Sequence, residues 1–355
     1  MPFFSNFIFV TIFLLGGVDA FSPSSRVGNS FSRNKQISSP LYALGVLARK
    51  AKEADVRKYC EEGVEDAVME DYKKIKAAGE IEQRKEPGPL QTILTKRKGT
   101  ITIIAEYKRK VENGGFIDEM FDPEILSPSF REHGASGIAV MADERMGGCT
   151  YEDLARFVEE QRRAKNDIPG PVMVINNDLI VDEVQIAQSS VAGAKAVVLA
   201  FEVIGEEKAV EFMKAAQALD LESIVSVSSK ENAQKAIDLG ATMIMIVNVE
   251  TVDEKAECIN ELNIPDGQQV TTIAMIDAYL DKGLHEIEEA WACRDKGFNV
   301  VWVADALYKS GMDPSEHPGA IIKSMSQKSS LKWASPKARS GKGEGAREYL
   351  GDIMM

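Results

Sequence analysis

The sequence predicts a (β/α)8 barrel that follows a helical extension, and three observations support this fold class. Eight apolar runs of strand length recur from residue 101 onward. Charged stretches with the apolar spacing of amphipathic helices separate these runs. Most runs are continuous rather than alternating, which is typical of parallel strands that are buried on both faces. Repeated strand–helix units in this number close a barrel of this kind.

A doubly wound parallel sheet is the alternative fold, since it also alternates strands with helices. Such a sheet needs fewer strands, and a glycine fingerprint of the G-x-G-x-x-G type follows the first strand of the dinucleotide-binding forms. The run Ile101–Ala105 is followed by Glu106-Tyr107-Lys108 instead. The sequence therefore favours the barrel.

The predicted elements follow one another in regular order and place the barrel at residues 100–327. The predicted strands are Ile101–Ala105, Gly137–Met141, Val172–Ile175, Ala196–Ala200, Ile224–Val227, Met243–Val247, Val270–Met275 and Val300–Val303. The predicted helices include Tyr151–Arg163, Glu206–Leu219, Lys230–Leu239, Val252–Leu262 and Leu284–Lys296. Gly193 and Gly240 come before strands, at positions where a glycine ends the preceding helix.

Residues 45–99 are predicted to form the N-terminal helical extension. Apolar residues recur there with a period near that of a helix, among many charged residues. Pro87-Gly88-Pro89 interrupts this pattern, because proline and glycine disfavour helix interiors. We expect the extension to pack as helices before the first barrel strand.

Residues 1–44 are predicted to be a targeting segment in two parts. Residues 1–20 resemble a signal peptide, because the apolar run Phe7–Leu15 is too short for a confident membrane span and small residues follow it. Residues 21–44 are rich in serine, basic and free of acidic residues, which is the composition of a transit peptide. This order resembles the bipartite plastid presequence of algae with secondary plastids and predicts a location in the plastid stroma. Plain secretion with a disordered linker is the alternative.

Residues 328–355 are predicted to be a disordered basic tail, since they combine several glycines with an excess of basic residues. Trp333, in Lys332-Trp333-Ala334-Ser335-Pro336, suggests an aromatic anchor in this segment. The tail is either a solvated end of the chain or a short docking peptide for a protein partner around Trp333.

Composition limits the classes of function. The chain has 355 residues, with 42 basic and 55 acidic residues that give a net charge of −13. A nucleic-acid-binding surface needs clustered positive charge, so we expect no nucleic-acid partner. The four cysteines and three histidines are scattered, which excludes the spacing of a disulfide scaffold or a zinc finger. We therefore expect no metal, and no membrane association once the targeting segment is removed.

The end of the first strand carries the most informative polar cluster. In barrels of this class, active residues lie at the carboxyl ends of the strands. Glu106 and Lys108 are two residues apart, so they share one face of the strand. They form either an inward ion pair with a chemical role or a structural pair that closes the mouth of the barrel.

Several segments resemble the indole-3-glycerol-phosphate synthase family. Ile104–Lys110 is similar to the first-strand signature of that family. Ile138–Glu144 with Tyr151–Leu154 resembles its second unit, and Asp178–Ile186 resembles its third. The resemblance covers about residues 45–326. It implies a (β/α)8 barrel that closes an indole ring with loss of carbon dioxide and water, a carbon–carbon lyase of tryptophan biosynthesis that needs no metal or cofactor.

The resemblance also implies a catalytic set of two lysines and glutamates with a Gly/Ser turn that holds phosphate, and most of this set is replaced. Glu106 and Lys108 match it and are the candidate catalytic residues. The other positions of the set fall on Val111, Asn177, Ser226, Val247 or Asn248, Met275-Ile276-Asp277 and Ala304-Asp305. Asn177 and Asn248 are the candidate substrate-binding residues, with a small phosphorylated molecule as the candidate ligand.

The charges at the predicted strand ends suggest an acidic mouth. The carboxylates there are Glu106, Asp143, Glu144, Asp178, Glu202, Glu250, Asp277 and Asp305. The cations are Lys108, Arg109, Lys110 and Arg145. Such an excess would repel a dianionic phosphate ester.

Three hypotheses about function follow from these residues. The first is a catalytically impaired, plastid-located member of the family that binds or scaffolds a partner, which the replaced catalytic set favours. The second is an active indole-3-glycerol-phosphate synthase, which the overall resemblance favours. The third is a new activity that uses a divalent cation held by the carboxylates of the mouth.

Overall fold

The fold is a closed barrel of eight parallel strands in sequence order. A computed structural model describes residues 40–79, 86–96, 99–110, 122–276, 278, 285–308 and 318–326. Each strand pairs with the next along the chain, and β1 pairs with β8 to close the barrel. The strands are β1 Thr102–Tyr107, β2 Gly137–Val140, β3 Met173–Asn176, β4 Ala196–Ala200, β5 Glu222–Val227, β6 Met243–Ile246, β7 Thr271–Ile276 and β8 Val300–Val303. The prediction of the barrel, with all eight strands, is confirmed.

Helices connect the strands and cover the outside of the barrel. The helices are α1 Pro40–Glu62, α2 Asp66–Ala77, α3 Pro89–Leu94, α4 Pro123–Glu132, α5 Tyr151–Arg163, α6 Glu183–Val191, α7 Phe201–Ile204, α8 Glu206–Ala218, α9 Lys230–Asp238, α10 Val252–Ile259, α11 His285–Lys296 and α12 Pro318–Ser326. Short 3-10 turns follow at Ala164–Asn166 and Asp305–Tyr308. Among the described residues, no helix has the length and apolar character required to span a bilayer.

Side-chain caps explain why several helices begin where the sequence predicts. Thr150, Asp182 and Thr251 each accept a hydrogen bond from a backbone N–H in the first turn of the helix that follows. In all three, the side chain of the third helical residue accepts a hydrogen bond from the backbone N–H of the capping residue. These reciprocal bonds satisfy amide groups that have no partner within the helix.

The helical extension consists of three helices, and the sequence predicted only the interruption at Pro87-Gly88-Pro89. α1 begins at Pro40, five residues before the predicted start of the extension. The chain breaks after Glu62 because Gly63 adopts a φ of +111°, a conformation that favours glycine and cannot continue a helix. The predicted signal peptide, residues 21–39 of the transit-like segment, and the basic tail with Trp333 lie outside the described residues.

Two layers of apolar side chains form the core. One layer fills the inside of the barrel and includes Ile104, Met245 and the fully buried Trp302. The other layer lies between the strands and the surrounding helices. Leu90 and Leu94 of α3 belong to the inner layer and are fully buried, so α3 closes the amino-terminal end of the barrel.

Strand β1 extends two residues further than the apolar pattern predicts. Glu106 and Tyr107 both belong to it and are buried. The sequence pattern ends at Ala105 because a glutamate is rarely placed inside a core. The partners that make this burial tolerable come from distant parts of the chain, so no local pattern reveals them.

Glu222 should stabilise the fold by holding α3 against the bottom of the barrel. Its two carboxylate oxygens accept hydrogen bonds from the backbone N–H of Leu90 at 2.6 Å and of Gln91 at 3.1 Å. Replacement by alanine removes this charged cap, and we expect Glu222→Ala to lower the free energy of unfolding by about 1–2 kcal/mol. Urea denaturation followed by circular dichroism measures this change.

The exposed Glu261, which lies 3.5 Å from Lys230, provides the matched control. Glu261→Ala should change the free energy of unfolding by less than about 0.5 kcal/mol. Equal effects of the two substitutions would contradict a capping role for Glu222.

Candidate functional site at the barrel mouth

A cavity of about 920 Å³ opens at the carboxyl ends of the strands. Residues of α1 line one side, and residues from the ends of the strands line the rest. Trp302 and Met275 contribute to its inner part. A much smaller cavity of about 50 Å³ lies at the opposite end of the barrel, near Gly88 and Glu222. The mouth cavity is therefore the candidate site for a small molecule.

Glu106 lies fully buried at the end of β1. Its Oε2 accepts hydrogen bonds from Trp302 Nε1 at 2.5 Å and from Asn177 Nδ2 at 3.0 Å. Its Oε1 has no hydrogen-bond partner among the described residues. Burial raises the pKa of the Glu106 carboxyl, and the nearby charge of Lys108 and the bond from Trp302 oppose this rise. The two hydrogen bonds fix the position of the Glu106 carboxylate at the end of β1.

Lys108 forms its ion pair with Asp305. Its Nζ lies 2.5 Å from Asp305 Oδ2, and the two side chains are only 8% and 15% exposed. Lys108 acts on Glu106 through its charge and pairs directly with Asp305. The reason is tertiary: Asp305 follows β8, and β8 lies next to β1 in the closed barrel.

The structure brings the other two predicted site residues to the same cavity. Asn177 lines it and donates the hydrogen bond to Glu106. Asn248 also lines it. This residue is exposed, and its backbone is in the left-handed conformation with φ of +56°. Ser226 lies in the lining as well. Val111 and Asp277 lie outside the described residues.

Sequence reasoning missed Lys52, which α1 carries over the mouth. Its Nζ lies 2.8 Å from Asp143 Oδ2 and 2.5 Å from Asp178 Oδ1. Burial disfavours the charge of Lys52, but the two carboxylates outweigh it and raise the pKa of the ammonium group. No signal in the local sequence could identify this residue, because its partners are about 90 and 125 positions away along the chain and only barrel closure brings them together.

The two carboxylates beside Lys52 have different environments. Asp178 is buried and accepts hydrogen bonds from Tyr151 Oη at 2.9 Å and Gln185 Nε2 at 2.8 Å. Burial raises the pKa of Asp178 to about 6, although Lys52 opposes the rise. Burial also favours a higher pKa for the Asp143 carboxyl. The charge of Lys52 and the hydrogen bonds from the backbone N–H groups of Arg145 and Met146 outweigh burial, so the pKa of Asp143 lies below its usual value.

Lysines and neutral donors lie against several carboxylates of the predicted acidic mouth and reduce its excess of negative charge. Asp143 and Asp178 are paired with Lys52, and Asp305 is paired with Lys108. Glu202 accepts hydrogen bonds from the backbone N–H and hydroxyl of Ser228 and from the side chain of Asn232. The sequence overestimated the excess because it did not place cations of α1 at the mouth.

In the part of the chain that the structure describes, no group of three or more histidine, cysteine, aspartate or glutamate side chains is placed to hold a metal ion. The carboxylates of the mouth therefore form no such group in the described ranges.

The fold and the site define a parallel (β/α)8 barrel with a lysine and a glutamate at the end of its first strand and a small-molecule cavity at its mouth. The sequence profile described as "Indole-3-glycerol phosphate synthase" matches residues 54–312. The chain belongs to this family.

Individual relatives have the same description and low identity. The chain is 32% identical over 147 residues to the indole-3-glycerol phosphate synthase of Leptospira interrogans, a match that covers 41% of this chain and 55% of the relative. It is 25% identical over 215 residues to that of Carboxydothermus hydrogenoformans, which covers 60% and 76% respectively. It is 25% identical over 232 residues to that of Mycobacteroides abscessus, covering 64% and 79%. The first of these matches spans little more than half of the relative's length.

Protonation of Asp178 should make stability depend on pH. Its pKa in the folded state, about 6, exceeds the value of about 3.9 expected for an unfolded aspartate. The folded state therefore binds the proton more tightly, and the contribution of this group to stability rises as the pH falls from 7 to 4.5. Relative to Asp178→Asn, the wild-type chain should gain about 1–2 kcal/mol over this range, measured by urea denaturation.

Asp238→Asn, at an exposed aspartate outside the mouth, is the matched control and should keep the pH dependence of the wild-type chain. A difference between wild type and Asp178→Asn that stays constant from pH 7 to 4.5 would refute a raised pKa at Asp178.

Proposed function

We propose that the chain is a catalytically impaired member of the indole-3-glycerol phosphate synthase family that acts by binding or scaffolding. The observation that carries this proposal is the buried ion pair between Lys108 and Asp305. By the family resemblance, Lys108 matches the lysine that acts as general acid. Asp305 stands where the family has part of its phosphate-binding turn.

This ion pair opposes both tasks of the family site. A general acid must reach the reacting group in a suitable protonation state and geometry. Lys108 Nζ is instead held 2.5 Å from a carboxylate, at 8% exposure. A phosphate bound at the turn would meet the carboxylate of Asp305, where backbone N–H groups are needed. Loss of a single proton-transfer group commonly lowers the rate by about 10²–10⁴-fold.

The second matched residue is also constrained. Glu106 is enclosed by Trp302 and Asn177, and Asn177 occupies the position of the family's second lysine. An asparagine side chain cannot supply a proton as an ammonium group does. Lys108 and Glu106 are therefore poorly placed for proton transfer, which favours a binding role for the site.

An active indole-3-glycerol phosphate synthase is the alternative, and one observation besides family membership favours it. Lys52 brings an ammonium group to Asp178, the residue next to Asn177. A lysine from α1 thus lies near the position from which the second family lysine is missing. Lys52 is committed to two carboxylates, however, so we favour the impaired site.

Turnover of the family substrate separates these two functions. We expect the full chain to form indole-3-glycerol phosphate from carboxyphenylamino-deoxyribulose phosphate no faster than the variant Lys108→Ala, because the general acid is already occupied. Formation of the indole ring is measured by its fluorescence. Thermal unfolding of each variant shows that it is folded.

Lys58→Ala, at an exposed lysine of α1, is the matched control and should behave like the wild-type chain. Turnover at an ordinary enzyme rate of about 1–10³ s⁻¹ that is lost in Lys108→Ala would contradict the proposal. Loss in Lys52→Ala as well would favour an active site that uses Lys52.

We also propose that the chain works in the plastid stroma and contacts a protein partner through its tail. The two-part composition of residues 1–44 supports the location. The aromatic Trp333 within a basic, glycine-containing segment supports the contact, because aromatic residues often anchor interfaces.

Expression of a tagged full chain in an alga with a secondary plastid examines both parts of this proposal. We expect fluorescence of the tag in the plastid stroma and loss of stromal signal when residues 1–44 are removed. A pull-down from that plastid should recover a partner that is absent when Leu331–Met355 is deleted. Secretion of the tagged chain would contradict the location, and an identical set of partners with and without the tail would contradict the contact.

A further inference from the structure

We propose that the mouth cavity binds a hydrophobic ligand with a single anionic group at one end, and that Lys50 binds that group. This inference deepens the proposed function, because it rests on the binding role proposed for the same cavity. It gives the chemical class of the ligand and its orientation, with the anionic group at the rim and the hydrophobic body inside the cavity.

The size and lining of the cavity suit a hydrophobic body. Its volume of about 920 Å³ lies within the range of about 300–1,000 Å³ that small-molecule sites occupy. Four methionines, Met141, Met146, Met245 and Met275, line it together with Trp302. Methionine side chains are flexible and polarizable, so they adapt to the shape of an apolar ligand.

The inner cations of the mouth are occupied. Lys108 is paired with Asp305, and Lys52 bridges Asp143 and Asp178. An anionic ligand group could reach either lysine only by separating a largely buried ion pair, which leaves a buried carboxylate without its partner. Lys52 and Lys108 are therefore not available to an anionic ligand group.

Lys50 is different from these lysines. Two cationic side chains line the cavity in the described part of the chain, Arg49 and Lys50. Arg49 Nε lies 2.8 Å from Glu53. Lys50 is exposed on α1 and makes no ion pair with any residue that the structure describes. An anionic group at the rim can therefore pair with Lys50 while the hydrophobic body contacts the methionines.

Two dyes that differ in one charged group test this arrangement on the full chain. 1-Anilinonaphthalene-8-sulfonate carries one anionic group, and N-phenyl-1-naphthylamine has the same rings without it. We expect both dyes to bind with one saturable site in fluorescence titrations. Lys50→Gln should raise the Kd of the sulfonate by about two- to five-fold, as for a partly exposed ion pair, and leave that of the neutral dye unchanged.

Further variants show whether the dyes occupy the cavity. Val247 is half-buried in the lining, and Val247→Trp should weaken both dyes by filling the space. Lys58→Gln, on α1 but outside the lining, is the matched control and should change neither Kd. Excess inorganic phosphate should not displace either dye. If Val247→Trp is unfolded by thermal denaturation, Val203→Trp in the same lining takes its place.

Several results would overturn the inference. These are equal effects of Lys50→Gln on the two dyes, no effect of the tryptophan variants, displacement by phosphate, or no binding of either dye. The turnover assay addresses the proposed function separately, because dye binding requires no chemistry. A chain that turns over the family substrate but binds the dyes as described would refute impairment and leave the ligand class standing.

Discussion

The pairing of β1 with β8 closes the barrel, and the position of every side chain at the mouth depends on it. In this register Ala105 lies beside Val303, so the residues that follow each strand emerge next to each other. Lys108 and Asp305, 197 positions apart along the chain, thus meet as a buried ion pair. The same closure places Trp302 over Glu106. The state of the family's catalytic positions is therefore a consequence of which residues β8 and its loop carry.

Several charges at the mouth are buried, and burial makes their partners essential. A buried charge is tolerated only when it is paired or hydrogen-bonded, and separation of such a pair is unfavourable. Lys52 and Lys108 each provide the opposite charge for carboxylates that are otherwise held only by neutral donors or have no cation beside them. Because these lysines pair with carboxylates of the chain itself, their charges are not available to a substrate. This pairing also leaves hydrophobic surface as the main feature that the cavity offers to a ligand.

The N-terminal extension is part of the site. α1 contributes lining residues on one side of the cavity and sends Lys52 to the ends of β2 and β3. Arg145, from the loop after β2, also forms an ion pair with Asp55 of α1. These polar contacts fix the helix across the mouth. Lys52 of α1 is the cation whose charge acts to lower the pKa of both Asp143 and Asp178, so the site includes α1 as well as the strand ends.

The architecture could be predicted from the sequence, because strand and helix periodicity and glycines at helix ends are local signals. The sequence gives the order of the elements in this way. It also identified Glu106 and Lys108, since their spacing on one strand and the family resemblance are visible without a structure. The partners at the site depend on barrel closure and on the packing of α1: Trp302 for Glu106, Asp305 for Lys108 and Lys52 for Asp178. Each pair joins distant parts of the chain, and the burial that raises the pKa of Asp178 arises only when the barrel closes and α1 covers it.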